Sequence, residues 1–172
     1  FPSKSGLVAE AYETLALSLL ESIRSQAENK AVSPRDRLSN FFRASFAPEI
    51  LDPQLFNVWL VFWSMVAHSA EIRAVHFRTY GKYRSALESM LGELVDSGAA
   101  PAFKLRPAAI ALSALLDGLW VESSLSPTVF KPRDAIALCE DWVNALCSGG
   151  FPRLLTAPRV KKAAAAPKHP KP

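Results

Sequence analysis

The side chains with the most chemistry to offer in this chain are aromatic. Trp59, Phe62 and Trp63 fall within five positions and share one face at helical spacing. Phe77, Tyr80 and Tyr83 come on the next helical run, and Trp120 lies further on. Rings converging from several helices can line a pocket, and ring faces suit a quaternary ammonium or another soft organic cation. Glu71, Asp117 and Glu122 are the acids that could add a negative group, with Asp117 the best candidate for a buried one, at the pocket or as a structural contact of its helix. The same aromatic stripe also reads as plain core. Against that reading, buried indole N–H and phenol O–H groups each need a partner. The ligand-binding candidates are therefore Trp59, Phe62, Trp63, Phe77, Tyr80, Tyr83, Asp117 and Trp120.

Catalytic constellations are missing from the sequence. There is no HExxH, CxxC, GxSxG or P-loop pattern. His68 and His76 fall on different helical runs near one turn, and His169 lies close to the end. A histidine pair with no fixed carboxylate beside it reads as structural rather than metal-binding. Cys139 and Cys147 are eight positions apart on one helical run, about 12 Å along its axis. A disulfide needs Cα atoms within about 7 Å. The expectation is a non-enzyme with no metal and no cofactor, in a reducing, cytoplasmic setting.

These groups need a scaffold, and 172 residues with 49% apolar content can bury one core. The net charge of +4 is unevenly placed. Arg153, Arg159, Lys161, Lys162, Lys168 and Lys171 crowd the last 20 positions without an acid. Taking those six from 20 basic residues leaves 14 against 16 acidic ones, a net of −2. The body therefore carries no footprint for phosphates. The apolar run LFNVWLVFWSMVAHSA is short for a bilayer and contains Asn57, Ser64 and His68, so it reads as a buried helix.

The period is helical throughout, and the fold class is all-α: a bundle of about six helices. Helix one spans about 3–29 with a stripe of Leu7, Ala11, Leu15, Leu19 and Ile23, widened by Tyr12, Ala16 and Leu20. Ser33-Pro34 and Asp52-Pro53 each combine a cap with proline at the first helical position, and they open helices two and three. Helix three is apolar nearly all round, which predicts a place in the centre of the bundle. Ser69 caps helix four, which runs to about Asp96. Pro107 opens helix five, Pro132 opens helix six, and Gly149-Gly150 stop the last. From Phe151 the pattern ends in a basic, proline-rich stretch.

Helices five and six hold more apolar surface than one core needs. Leu112, Leu115, Leu119, Ile136, Cys139, Trp142, Val143 and Leu146 are the candidates for pairing with a twofold copy as a four-helix bundle. A simple monomeric bundle is the other reading.

Three blocks in order resemble one family. FPSKSGL resembles the junction of TetR-family transcriptional repressors, where F-x-S-K-x-x-L opens the helix joining the DNA-binding head to the regulatory domain. Phe1, Ser3, Lys4 and Leu7 carry that match. WLVFWSMVAHS and LLDGLW resemble the BetI-like branch, through Trp59, Phe62, Trp63, Leu116, Asp117, Gly118, Leu119 and Trp120. The resemblance implies a homodimer joined through the last two helices, and a pocket for a small-molecule effector, choline-like or another organic cation. It also implies operator DNA bound only through a helix-turn-helix domain, whose end would survive here at residues 1–2. Residues 3–150 would then be the ligand-binding and dimerisation domain, and 151–172 a flexible basic tail. The competing reading is a non-catalytic helical interaction module with a solid core.

Overall fold

The computed structural model describes residues 3–156 apart from 28 and 30. It contains six helices: α1 (Lys4–Ala27), α2 (Pro34–Ser45), α3 (Pro53–Val66), α4 (Ala70–Asp96), α5 (Leu105–Leu125) and α6 (Pro132–Cys147). Residues 1–2, read as the end of a DNA-binding head, and 157–172, most of the expected tail, lie outside the described residues.

Local chemistry sets the helix starts. The Ser33 hydroxyl accepts from the Asp36 N–H at 3.1 Å, and Pro34 opens α2 where its missing donor is not needed. Asp52 accepts from the N–H groups of Gln54 and Leu55 at 2.7 and 3.1 Å. Ser69 accepts from Ile72 at 3.3 Å. Helix α5 begins at Leu105, two residues before Pro107. That proline still falls in the first turn, where N–H groups have no intrahelical acceptor. Gly149 ends α6 at φ +77°, a left-handed backbone that favours glycine.

The centre of the bundle is α4, which packs against α1, α2, α3 and α5. This corrects the expectation for α3. Only Phe56, Trp59 and Phe62 of α3 are buried, while Val58, Leu60 and Val61 stand 41%, 41% and 58% exposed on its outer side. Apolar composition all round does not reveal which side meets the core, and α3 lies at the periphery, bent by 118° from α4. With the fewest buried side chains of the six helices, α3 is the element that opens most easily. Its backbone amides are expected to exchange with deuterium before those of α4 and α5, as read by native-state hydrogen exchange.

On α1 the buried stripe is Ala9, Tyr12, Leu20, Ile23 and Ala27. It is rotated from the expected one, and Leu7 is exposed. Beyond α6 the tail reading fails for 151–156. Phe151 packs on Trp142 at 5.3 Å. The Lys104 N–H donates to the Leu154 carbonyl at 2.7 Å, and Thr156 donates to Ala102 at 3.1 Å. This short antiparallel clasp pins the chain after α6 to the entry of α5.

Candidate ligand-binding site

Five helices wall a partly open cavity of about 100 Å³ beside the core. Its aliphatic wall is Ala16, Leu19, Leu20 and Ile23 of α1. Phe46 and Ile50 close the end at the α2–α3 turn. Trp59 and Trp63 come from α3, Thr79, Tyr80 and Tyr83 from α4, and Leu116, Asp117 and Trp120 from α5. Six of the eight candidates thus meet at one cavity.

The other two do not line it. Phe62 stacks on Tyr12 at 4.5 Å in the neighbouring core. Phe77 is 69% exposed. It follows His76 by one residue, a rotation of about 100° that carries it off the inward column of His76, Tyr80 and Tyr83. Of the three acids considered, only Asp117 reaches the cavity wall; Glu71 and Glu122 are exposed.

Asp117 is the electrostatic centre of the site. Tyr80 donates its hydroxyl to the carboxylate at 2.9 Å. Burial pushes the Asp117 carboxyl from its ordinary 3.8 up to about 6, with Tyr80 and the Arg84 charge pulling the other way. Burial and the neighbouring Asp117 charge push both Tyr80 and Tyr83 upward, so both phenols stay protonated near neutral pH. His76, Tyr80 and Arg84 are successive turns of α4. The His76 ring lies 4.4 Å from the Tyr80 ring, and the Arg84 guanidinium lies 5.2 Å from its centroid. Tyr80 is thereby held by its own helix, and it presents its hydroxyl, through Asp117, as its polar contribution.

A second polar link connects α4 to α1. The Tyr12 hydroxyl is 2.8 Å from His76 Nδ1. Tyr12 also meets Trp59 edge-on at 5.3 Å. Burial raises Tyr12 to about 12 and lowers His76, so the bond joins a neutral phenol to a neutral imidazole near neutral pH. His76 is therefore a bonded core histidine, whereas His68 is exposed. No group of three or more metal-ligating side chains occurs among the described residues.

The three cavity tryptophans differ in one respect. Trp120 donates its indole N–H to the Ile50 carbonyl at 3.0 Å. The Trp59 N–H is buried and has no hydrogen-bond acceptor among the described residues. The Trp63 N–H is also buried and has the Tyr12 hydroxyl as its hydrogen-bonding neighbour, in a geometry short of a full bond, and it pulls the phenol's pKa down against the effect of burial.

The expected pairing face also needs correction. Leu112, Cys139, Val143 and Leu146 are wholly buried inside the subunit. Leu115, Leu119, Ile136 and Trp142 pack against the same core and keep part of their surface open. The correction therefore falls on the four enclosed residues. The open apolar positions are Ile110, Leu125 and Leu138, at 44%, 65% and 46% exposure. By length and composition α5 could cross a membrane, yet it packs on α4 and α6 with only a third of its apolar window buried.

Residues 34–148 match the family profile of the BetI-type transcriptional repressor C-terminal domain. The chain belongs to this family. The HTH-type transcriptional regulator BetI of Rhizobium meliloti strain 1021 is 30% identical over 160 residues, 93% of this chain and 76% of that protein. BetI of Paraburkholderia phytofirmans is 26% identical over 144 residues, 84% of this chain and 71% of that one. Among solved structures, one assigned to a transcriptional regulator of Pseudomonas aeruginosa PAO1 superposes with a TM-score of 0.83 at 44% identity, covering 88% of this chain and 73% of that one. A regulator from Saccharomonospora viridis, crystallised with choline, shares the fold at a TM-score of 0.72 and 19% identity, covering 84% of this chain and 74% of that one. As a BetI-type domain, the chain is the ligand-responsive regulatory part of a transcriptional repressor. Beside the packed core, its helices line a partly open cavity.

Proposed function

We propose that this domain binds a small organic cation of the choline type and dimerises to position a DNA-reading head. The observation that carries the ligand is Asp117. It is the one ionisable carboxyl in a cavity walled by aliphatic and aromatic groups and the hydroxyl side chains of Ser45 and Thr79. A cation entering there gains the carboxylate and the surfaces of Trp59, Trp63, Tyr83 and Trp120 together. The choline held by the Saccharomonospora viridis regulator supports the same class. Titration of this chain with choline is expected to show saturable binding. At about a hundred-fold excess over Kd, ligand adds about 2.7 kcal/mol of stability. For a domain of this size that is roughly 5–10 °C in Tm. No binding of any small quaternary ammonium ion at millimolar concentration would overturn the reading.

The dimer uses the outer side of α5 and α6, with Ile110, Ala114, Gly118, Leu125 and Leu138 as its contacts. Their exposure on an otherwise apolar helix supports that face. The protein works in the cytoplasm without catalytic chemistry, and operator DNA is held by the helix-turn-helix head that such repressors carry ahead of α1. The first helix is the lever. It contributes four residues to the cavity wall and meets α3 and α4 through Tyr12. A small repacking of the cavity therefore reaches the end of α1 that leads toward DNA.

A further inference from the structure

A part-buried arginine normally ends on a carboxylate. Arg35 of α2 reaches Glu140, and Arg37 reaches Glu93. Arg84 of α4 is part-buried too, yet it forms no ion pair or hydrogen bond with any described residue, and its Nε is buried without a partner. Its guanidinium instead sits over the Tyr80 ring, 5.2 Å from the centroid, where a ring face holds a cation. The hydroxyl of that same ring donates to Asp117 at 2.9 Å. Arg84 does not line the cavity, whereas Tyr80 and Asp117 do. Direct contact would spend the Asp117 charge in an ion pair. At one ring's remove, the guanidinium still favours the ionised carboxylate, and the carboxylate remains part of the cavity wall.

We propose that Arg84 is a positioning residue that keeps Asp117 ionised from outside the cavity, with Tyr80 as the spacer between the two charges. The inference deepens the cation reading and rests on it for its purpose, but its first test needs no ligand. Among the described residues, Arg84 is the one cation whose charge acts on Asp117. The other titratable groups around the carboxylate are the phenols of Tyr12 from α1 and of Tyr80 and Tyr83 from α4. His76 stands beside the Tyr80 ring and is held neutral near neutral pH by burial. Cys139 of α6 interacts with Tyr83, and burial keeps its thiol protonated. Helices α2 and α3 bring no titratable side chain to the cavity.

Carboxyl 13C NMR of the ligand-free chain across pH reads the effect, with Asp117→Asn to assign the resonance. The Asp117 midpoint lies at about 6 in the parent chain. It is expected to rise by about one pH unit in Arg84→Gln, and to stay within about 0.3 of the parent in Arg84→Lys, which restores the charge. A role in packing alone would lower the melting temperature and leave the midpoint in place. Choline, as the probe cation, should bind Arg84→Gln about fivefold more weakly than the parent near pH 6, and no more weakly near pH 8.5, where both carboxylates are ionised. A midpoint unmoved in Arg84→Gln overturns the inference. So does a rise that appears equally in Arg84→Lys. If Arg84→Gln does not fold, the unmodified chain decides: its Arg84 Nε resonance is expected to titrate with the Asp117 midpoint and to lose that step in Asp117→Asn, and a flat resonance overturns the inference. A midpoint that moves as expected, with no choline bound at either pH, overturns the cation reading and leaves the role of Arg84 standing.

Discussion

Asp117→Asn is expected to make the unliganded domain more stable and the site nearly blind to cations. Both effects follow from one buried carboxylate. In the folded chain its proton is held up to a pH of about 6, against an ordinary 3.8. An acid whose folded pKa lies above its unfolded value binds protons more tightly when folded. Its ionisation therefore subtracts stability as pH rises from about 4 through about 6, and the loss is fully present at neutral pH. A rise of about two units corresponds to roughly 2–3 kcal/mol. The Asn side chain keeps an oxygen for the Tyr80 hydroxyl and carries no charge to desolvate. Thermal melts at pH 7.5 should show a rise of several degrees for the variant, shrinking toward zero near pH 4. Affinity for a quaternary ammonium ion should fall by about 100-fold, as when one partner of a buried charge pair is removed. In the parent chain that affinity should be flat above about pH 7 and fall about tenfold per unit below about pH 6, with proton uptake by Asp117 opposing the ligand. Arg84, Tyr80 and Tyr83 from α4 and Tyr12 from α1 face this carboxylate, and the three phenols keep their protons throughout that window. His76, beside the Tyr80 ring, is held by burial below the ordinary imidazole range and gains its charge at acidic pH, so the difference between parent and Asp117→Asn at each pH isolates the carboxylate. A variant that melts lower, or binds the cation as well as the parent, would show that Asp117 serves the fold and not the ligand.

Gly118→Arg is expected to turn a dimer into a folded monomer. Nothing lies within 4 Å of a side chain started at Gly118, and its backbone is ordinary helix. Within the subunit the change should be tolerated, and the helix gains up to about 1 kcal/mol in intrinsic propensity. Across a twofold axis the result is opposite. In the proposed dimer, glycine and Ala114 would let two copies of α5 approach closely, whereas an arginine from each copy would add bulk and two like charges to a surface that must dry. Sedimentation velocity at micromolar concentration should report a dimer for the parent chain and a monomer for the variant, with helical content unchanged. A variant that remains dimeric would move the interface off this face. An equally large change on the inner stripe, such as Leu112→Arg, should instead unfold the subunit, because Leu112 is wholly enclosed.

Chain punctuation was the most legible part of the fold. Ser33-Pro34, Asp52-Pro53 and Ser69 each act as caps with the expected bonds, and α4 ends at Asp96 as read. Caps are local chemistry, settled within four residues. Which side of a helix faces inward is a global question, and it was legible only where polar residues marked the outer side. On α3 only Gln54, Asn57 and Ser64 mark the outer side, against a long apolar run, and on α5 polar residues fall on both sides, with Ser113 and Ser123 buried. One helix was misplaced at the centre, and the other had its inner Leu112 taken for part of a pairing surface. The cavity shows the same division. Its aromatic and acidic members announced themselves by type. The α1 wall of Ala16, Leu19, Leu20 and Ile23 did not, because aliphatic side chains look alike in core and cavity. The Tyr12–His76 bond joins positions 64 apart, and no local pattern encodes such a pairing.

The shallow seating of α3 has a mechanical consequence. The cavity is walled on one side by a helix that buries three side chains, and on another by α4, which buries six and touches four neighbours. Swinging α3 outward disturbs far less than parting α4 from its partners. A molecule too large for the cavity is therefore expected to be accommodated by displacement of α3 against a fixed α4, the yielding wall and the anvil of one vice.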